Sequence, residues 1–315
     1  MATAAGRKEA LTMNEIILHQ YEFSPFSEKV RRVLAFKGLT WHAVEQPVIA
    51  PKPDLTPLTG GYRRIPVMQI GADIYCDTAL IIRRLEALHP EPAVIPRALA
   101  GRVAVMEDWA DHRLFMQVVP PVVAELESTL GDEFFTDRQA MSPGFSRAGL
   151  VDAAPRALEQ AAHSLDALEQ QLGVTPYLLG DMFTLADAAV FHCVHFLQHS
   201  ERASALVEAR PGVAAWVQRI VDFNGDTRRP LHAAAALDIA RNQEPEDVAG
   251  ASVPDPRLRL GDEVSIVADD YGTETTQGRI VRLGTNEIVV MRQDPALGQL
   301  AVHYPRAGYI VQTAS

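Results

Sequence analysis

Cysteine is scarce in this sequence: Cys76 and Cys193 are the two in 315 residues, far apart and without metal-ligand spacing. A disulfide framework is not expected, and each thiol reads as a small buried apolar group. Long apolar runs are also missing, since no stretch approaches the roughly 20 residues that a bilayer requires, and no membrane partner is expected. Residues 1–13 hold Arg7, Lys8 and Glu9 with no apolar run behind them, so they read as neither signal peptide nor anchor. A cytoplasmic protein is the expectation. Basic charge is in deficit as well, with 29 Lys and Arg against 40 Asp and Glu and a net charge of −11. Without a clustered Lys/Arg footprint, nucleic acid and anionic membrane surfaces are excluded as partners. Repeats and low-complexity tracts are absent.

What remains is a globular composition, 47% hydrophobic and 22% charged, long enough for two or three domains with separate cores. Residues 16–21 read as a strand. Pro25–Lys37 reads as a helix, because Phe26, Val30, Val33, Leu34 and Phe36 recur at helical spacing ahead of Gly38. A second strand at residues 41–44 completes a βαβ unit, which favours a parallel pair. Residues 65–70 and 73–76 flank the two-residue turn Gly71, Ala72, and a helix over residues 78–88 ends before Pro90. The order β, α, β, then β, β, α over about 75 residues is a thioredoxin-like layout.

From residue 97 to 240 strand signals vanish, and amphipathic helices are expected at residues 97–130, 151–172, 185–199, 213–223 and 231–240. Residues 241–256 are rich in Pro and acidic side chains and read as a linker. Alternating segments at residues 263–268, 277–283, 287–292, 300–303 and 309–312 then predict a small five-stranded β-barrel. The fold class is therefore α/β plus all-α: a thioredoxin-like domain at residues 14–90, an all-helical domain at 97–240, and a small β-barrel at 257–315 that resembles a Src-homology-3-like barrel by strand count and length only. A Pro-rich boundary of this kind predicts that a chain cut after Glu244 still folds.

The chemistry concentrates where the first strand meets the first helix. Ser24 is placed to cap that helix and Pro25 to open it. Unpaired N–H groups and a partial positive charge at such a terminus stabilise an anion, and a thiolate is one. In thioredoxins this turn carries two cysteines; here the frame is Ser24, Pro25, Phe26, Ser27, so any sulfur must arrive on a ligand. Lowering a thiol pKa by about two units from 8.5 takes about 2.7 kcal/mol, which a hydroxyl hydrogen bond and a helix terminus together supply. Ile65 and Pro66 suit a cis bond that exposes the backbone of Ile65 as a peptide-binding edge. Asp77 can cap the next helix and face an ammonium group, while Thr78 takes a carboxylate. Plain helix capping and a structural turn proline explain each motif equally well when taken singly.

Together these motifs make residues 16–88 resemble the N-terminal domain of the glutathione S-transferase superfamily, especially its omega-like and bacterial members. The resemblance implies that Ser24 is catalytic, with Ser27 or the backbone N–H groups as alternatives. It further implies that Ser24, Phe26, Lys52, Ile65, Pro66, Asp77 and Thr78 bind glutathione, with Lys52 on the glycyl carboxylate. Two departures stand out: Ser24 replaces the omega-type Cys, which argues against thiol transfer, and Asp77, Thr78 replaces the commoner Glu, Ser pair.

In the helical half, Thr184 and Asp187 form a capping box before the apolar residues 188–197, a folding signal that is similar to the family's second-domain motif. Trp109, His112, Arg113 and Met116 recur at helical spacing beside Asp108 and are candidates for the electrophile pocket, although a core-facing Trp with solvated charges explains the spacing at least as well. His192, His195 and His199 share one helix face, but without a completing carboxylate or Cys at useful spacing they read as a packed or solvent-facing stripe, and no metal is expected. The expected function is an enzyme that activates the glutathione thiol for attack on a small electrophile, with glutathione as co-substrate and a homodimer as the assembly. The rival is a non-catalytic superfamily protein whose barrel binds partners.

Overall fold

The fold is described from a computed structural model, for residues 15–246, 252–272 and 274–313. Six elements form the thioredoxin-like unit: β1 (Ile16–Gln20), α1 (Pro25–Lys37), β2 (Thr40–Glu45), β3 (Val67–Ile70), β4 (Asp73–Cys76) and α3 (Thr78–Leu88), with the short α2 (Thr56–Thr59) between β2 and β3. Strand β1 pairs parallel with β2 and antiparallel with β3, and β3 pairs antiparallel with β4 across the Gly71, Ala72 turn. Gly38 ends α1 at φ 65°, a conformation that costs an L side chain and suits glycine.

The helical unit follows as α4 (Ala100–Asp108), a π-helical turn Trp109–Leu114, α5 (Phe115–Glu125), α6 (Glu127–Met141), α7 (Arg147–Leu172), α8 (Leu185–Leu197), α9 (Glu201–Glu208) and α10 (Pro211–Val221). The single helix expected over residues 97–130 is thus broken, first by the π-helical turn and then near Leu126; a further kink follows at Gly131, where φ is 73°. Helix α8 runs through the centre with nearly every side chain buried. Its capping Asp187 accepts from Thr184 N at 2.9 Å, Leu178 N at 2.8 Å and Trp216 Nε1 at 3.0 Å, so one carboxylate ties α8 to α10 and the preceding loop. The main core joins both units, with Leu18, Val33, Leu34 and Trp41 packed in one cluster with Leu185, Phe191 and Trp216.

Chain tracing then returns to the sheet. A short strand, β5 (Thr227–Pro230), adds parallel to β2 and precedes α11 (Ala233–Asn242). It is exposed and carries no apolar alternation, which is why the sequence gives no strand signal there. Five more strands, β6 (Glu263–Ala268), β7 (Thr276–Leu283), β8 (Glu287–Asp294), β9 (Gly298–Pro305) and β10 (Tyr309–Thr313), form the small C-terminal β-module, whose first and last strands pair.

This module is not freestanding. Strand β9 pairs parallel with β4, so one ten-stranded sheet runs β10-β6-β7-β8-β9-β4-β3-β1-β2-β5. A second core cluster mixes Leu55, Leu58, Tyr62, Val67, Ile74 and Cys76 with Val264, Ile266, Ile288, Val290, Val302 and Tyr304. The supposed linker is fastened too. Residues 241 and 242 belong to α11, Glu246 N donates to Asp73 Oδ2 at 2.7 Å, and Val253 N donates to Leu283 O at 2.7 Å. Residues 247–251 lie outside the described residues. Shared apolar burial, invisible in the linker's composition, argues against the expectation that a chain cut after Glu244 still folds.

Candidate functional site

Ser24 ends the β1–α1 connection with extended backbone (φ −75°, ψ 115°), and its Oγ accepts from Ser27 N at 3.1 Å. Pro25 has no N–H to offer. The first turn of α1 thus presents a hydroxyl and a backbone terminus to the same space. Tyr21, just after β1, accepts from Ser24 N through its backbone carbonyl at 3.1 Å; burial raises its phenol pKa, against the pull of Arg138, whose Nη2 lies 3.4 Å away. Ser27 is fully buried, its Oγ has no partner among the described residues, and it lines no cavity described here, so Ser24 rather than Ser27 faces the open space.

The Ile65–Pro66 peptide is cis. Just before it, Arg63 pairs with Asp137 and Glu274 and Arg64 pairs with Asp270. Lys52 sits near the Tyr21 ring, 5.7 Å from its centroid, and donates to Pro47 O. Burial, then Arg138 and Arg63, lower its pKa to about 8, because Asp137 only partly offsets the neighbouring cations. No carboxylate is bonded to its ammonium among the described residues, so a ligand anion is the group that suits it.

Asp77 is a non-glycine residue at φ 77°, a conformation of about 1–3 kcal/mol that persists only where surroundings enforce it. Its Oδ1 accepts from Ala79 N at 2.8 Å and its Oδ2 from the Tyr309 hydroxyl at 3.2 Å. Beneath it lies a buried charge network. Lys29 Nζ, wholly buried, reaches Asp111 Oδ2 at 2.6 Å, Glu107 Oε1 at 3.0 Å and Thr78 Oγ1 at 3.3 Å. Burial disfavours the Lys29 charge, yet the two carboxylates outweigh it and raise the pKa. Because Thr78 Oγ1 accepts from Lys29, its own proton is free to donate to a ligand carboxylate.

Two cavities meet at this site. One, of about 240 Å³, is lined by Ser24, Lys52 and Tyr21 on one side and by Phe115, Met116, Phe134 and Phe145 of the helical unit on the other. The second, of about 770 Å³, is lined by Pro66, Asp77, Thr78, Asp111 and His112. Phe26, Arg64, Ile65 and Tyr271 line both. A ligand with a thiol at Ser24 and an amino-acid end at Asp77 and Thr78 would therefore run past Ile65.

Residues 18–93 match the family described as "Glutathione S-transferase, N-terminal domain" and residues 151–219 match "Glutathione S-transferase, C-terminal domain". A solved GST-like protein from Pseudomonas syringae is 36% identical, with a TM-score of 0.81, and the match covers 96% of this chain and 100% of that one. The chain belongs to the glutathione S-transferase superfamily. Among curated relatives, a probable glutathione S-transferase of Solanum tuberosum is 22% identical over 65% of this chain and 85% of its own. Glutathione S-transferase 4 of Zea mays is 26% identical over 50% and 65%. The enzyme class is glutathione transferase, and the family's co-substrate is glutathione.

For this transferase, the four electrophile-pocket candidates do not share one cavity. Met116 lines the apolar cavity and His112 the polar one, but Trp109 and Arg113 line neither. Trp109 packs against the main core and Arg113 is exposed. The π-helical turn that begins at Trp109 changes the residue spacing, so faces inferred from a 3.6-residue period no longer coincide. Among the histidines, His192 is buried with Nε2 3.0 Å from Asp111 Oδ1 and its ring against Phe26, a packing role; no metal-ligand cluster is found among the described residues. Both cysteines are buried. Sequence reasoning missed Tyr21, Arg63, Arg64, Arg138 and Tyr271. The pair Arg63, Arg64 directly before Ile65 was the one available signal, whereas Tyr271 sits in a loop with no pattern.

Proposed function

We propose that this transferase ionises the glutathione thiol at Ser24 and passes the thiolate to a small electrophile held in the 240 Å³ aromatic-walled cavity. The observation that supports this reading best is the position of Ser24, at once the cap of α1 and a wall of the apolar cavity. Lys52 would hold the glycyl carboxylate, Ile65 would pair by backbone with the cysteinyl unit beside Phe26 and Pro66, and Asp77 and Thr78 would hold the γ-glutamyl end. Ser24 Oγ accepts from Ser27 N and so can turn its proton toward sulfur, stabilising the thiolate once the thiol proton leaves to solvent. The sulfur lone pair then forms the S–C bond, with a leaving group departing in substitution or an alkene pair taking a proton in addition.

Replacing Ser24 with Ala tests the reading. One hydrogen bond to a charged sulfur contributes about 1.5–3 kcal/mol, so kcat with chlorodinitrobenzene should fall roughly 10- to 100-fold while glutathione affinity changes little. Unchanged turnover would move the role to Tyr21 or the helix terminus alone. We further infer a cytoplasmic homodimer from family membership; among the described residues no helix is long and apolar enough to cross a membrane. Since β9 already occupies the β4 edge, that edge is closed to strand pairing between copies. Sedimentation of a 34.5 kDa species at micromolar concentration would exclude the dimer.

A further inference from the structure

The C-terminal module does more than extend the sheet: its loops form one wall of the site. Residues 269–271 and 305–308 line the polar cavity, and Tyr271 alone of the module's residues lines the apolar one as well. The loop bearing Tyr271 is pinned from both sides. Gly272 N donates to Met141 O of the helical unit at 2.8 Å. From the thioredoxin-like unit, the Arg64 guanidinium stacks 3.8 Å from the Tyr271 ring centroid, pairs with Asp270 and donates to Tyr271 O. Gly272 itself adopts φ 67°, and a Cβ there would approach the Arg64 and Met141 side chains at 3.2 Å, so the three units pack closely at this point.

The Tyr271 hydroxyl, by contrast, has no hydrogen-bond partner among the described residues, although the residue is only partly exposed. A phenol held rigidly at the junction of two cavities, with an unused donor, is placed to meet whatever spans them. We propose that Tyr271 is a glutathione-contacting residue, its ring walling the tripeptide opposite Phe26 and its hydroxyl donating a hydrogen bond to the bound peptide. This rests on the reading of the site as a glutathione site. Burial raises the phenol pKa to about 12, so the group remains a donor throughout the working range. The module is then part of the binding site of its own chain, not an appended interaction unit.

Full-length Tyr271→Phe and Tyr271→Ala chains test the proposal, with glutathione titrated by calorimetry and followed by its upward shift of the melting temperature. Removing the hydroxyl should weaken binding about fivefold to tenfold, and removing the ring more, while the unliganded Tyr271→Phe chain melts like the parent. Equal affinity of parent and Tyr271→Phe, within twofold, overturns the contact and leaves the glutathione reading standing. If the parent itself fails to bind glutathione at millimolar concentration, both fall. Should Tyr271→Ala unfold, the near-isosteric Phe variant decides alone.

Discussion

Deleting the chain after Glu244 should unfold what is left. The cut strips the second core of its C-terminal half and leaves Leu55, Leu58, Tyr62, Val67 and Ile74, none more than 5% exposed in the intact chain, without partners. Full exposure of such a side chain costs about 1.5–3 kcal/mol, so exposing five by half costs roughly 4–8 kcal/mol. Lost with them are the β4–β9 ladder, the hydrogen bond from Tyr309 to Asp77 and the ion pairs of Arg64 and Asp73. Because a domain's whole stability is about 5–15 kcal/mol, the shortened chain should aggregate or melt far below the parent. Thermal melts of both chains with light scattering, with and without glutathione, measure this. A truncated chain that stays soluble, melts within about 3 °C of the parent and binds glutathione would refute the reasoning, since a shift that small is about 1 kcal/mol at this size.

Lys52 gives a pH prediction. Its pKa of about 8 leaves it charged below that pH, so affinity for S-methylglutathione, which has no thiol to titrate, should fall as pH rises through 8, and Lys52→Met should bind weakly and lose that part of the fall, keeping only the part due to the ligand's own ammonium. Calorimetry from pH 6.5 to 9.5 reads it. His303, held between Asp73 Oδ1 at 2.9 Å and Glu287 Oε1 at 2.8 Å, gives a second. Burial opposes its charge, but the bonds to Asp73 and then Glu287 raise its pKa above the usual 6.5, so its stabilisation is complete below about 6.5 and is lost as pH climbs through the raised value. The melting advantage of the parent over His303→Gln should therefore shrink from pH 5.5 to 9, and an advantage that grows with pH would sink the assignment. Arg113→Ala should leave chlorodinitrobenzene kinetics within twofold, whereas Met116→Ala should change KM for that electrophile; the reverse outcome would restore the spacing-based pocket.

Local order was legible because it is written locally. Ser24 and Pro25 announce α1, Gly71 and Ala72 announce the hairpin, and Thr184 with Asp187 announces α8, since capping and turns depend on neighbours a few residues apart. Long-range facts were not written that way. That β9 would choose the β4 edge depends on Asp73 meeting His303 and on Val302 packing with Ile74, relations no window of sequence contains. Strand β5 has exposed Thr227, Arg228 and Arg229 and forms because β2 offers an open edge, a tertiary choice that overrides propensity. The helix face carrying Trp109 was hard to read for a different reason, an irregular turn that a fixed period cannot represent.

Both edges of the thioredoxin-like sheet are closed by strands made late: β5 covers β2 and β9 covers β4. The latter closure joins residues 230 positions apart in the chain. On the ribosome, the first four strands therefore emerge long before their neighbours exist, with the N–H and C=O groups of two strands unpaired and open to any passing chain. Synthesis that stalls between residues 90 and 226 would leave that sheet waiting with both edges open, the stage at which pairing with another chain has no native competitor.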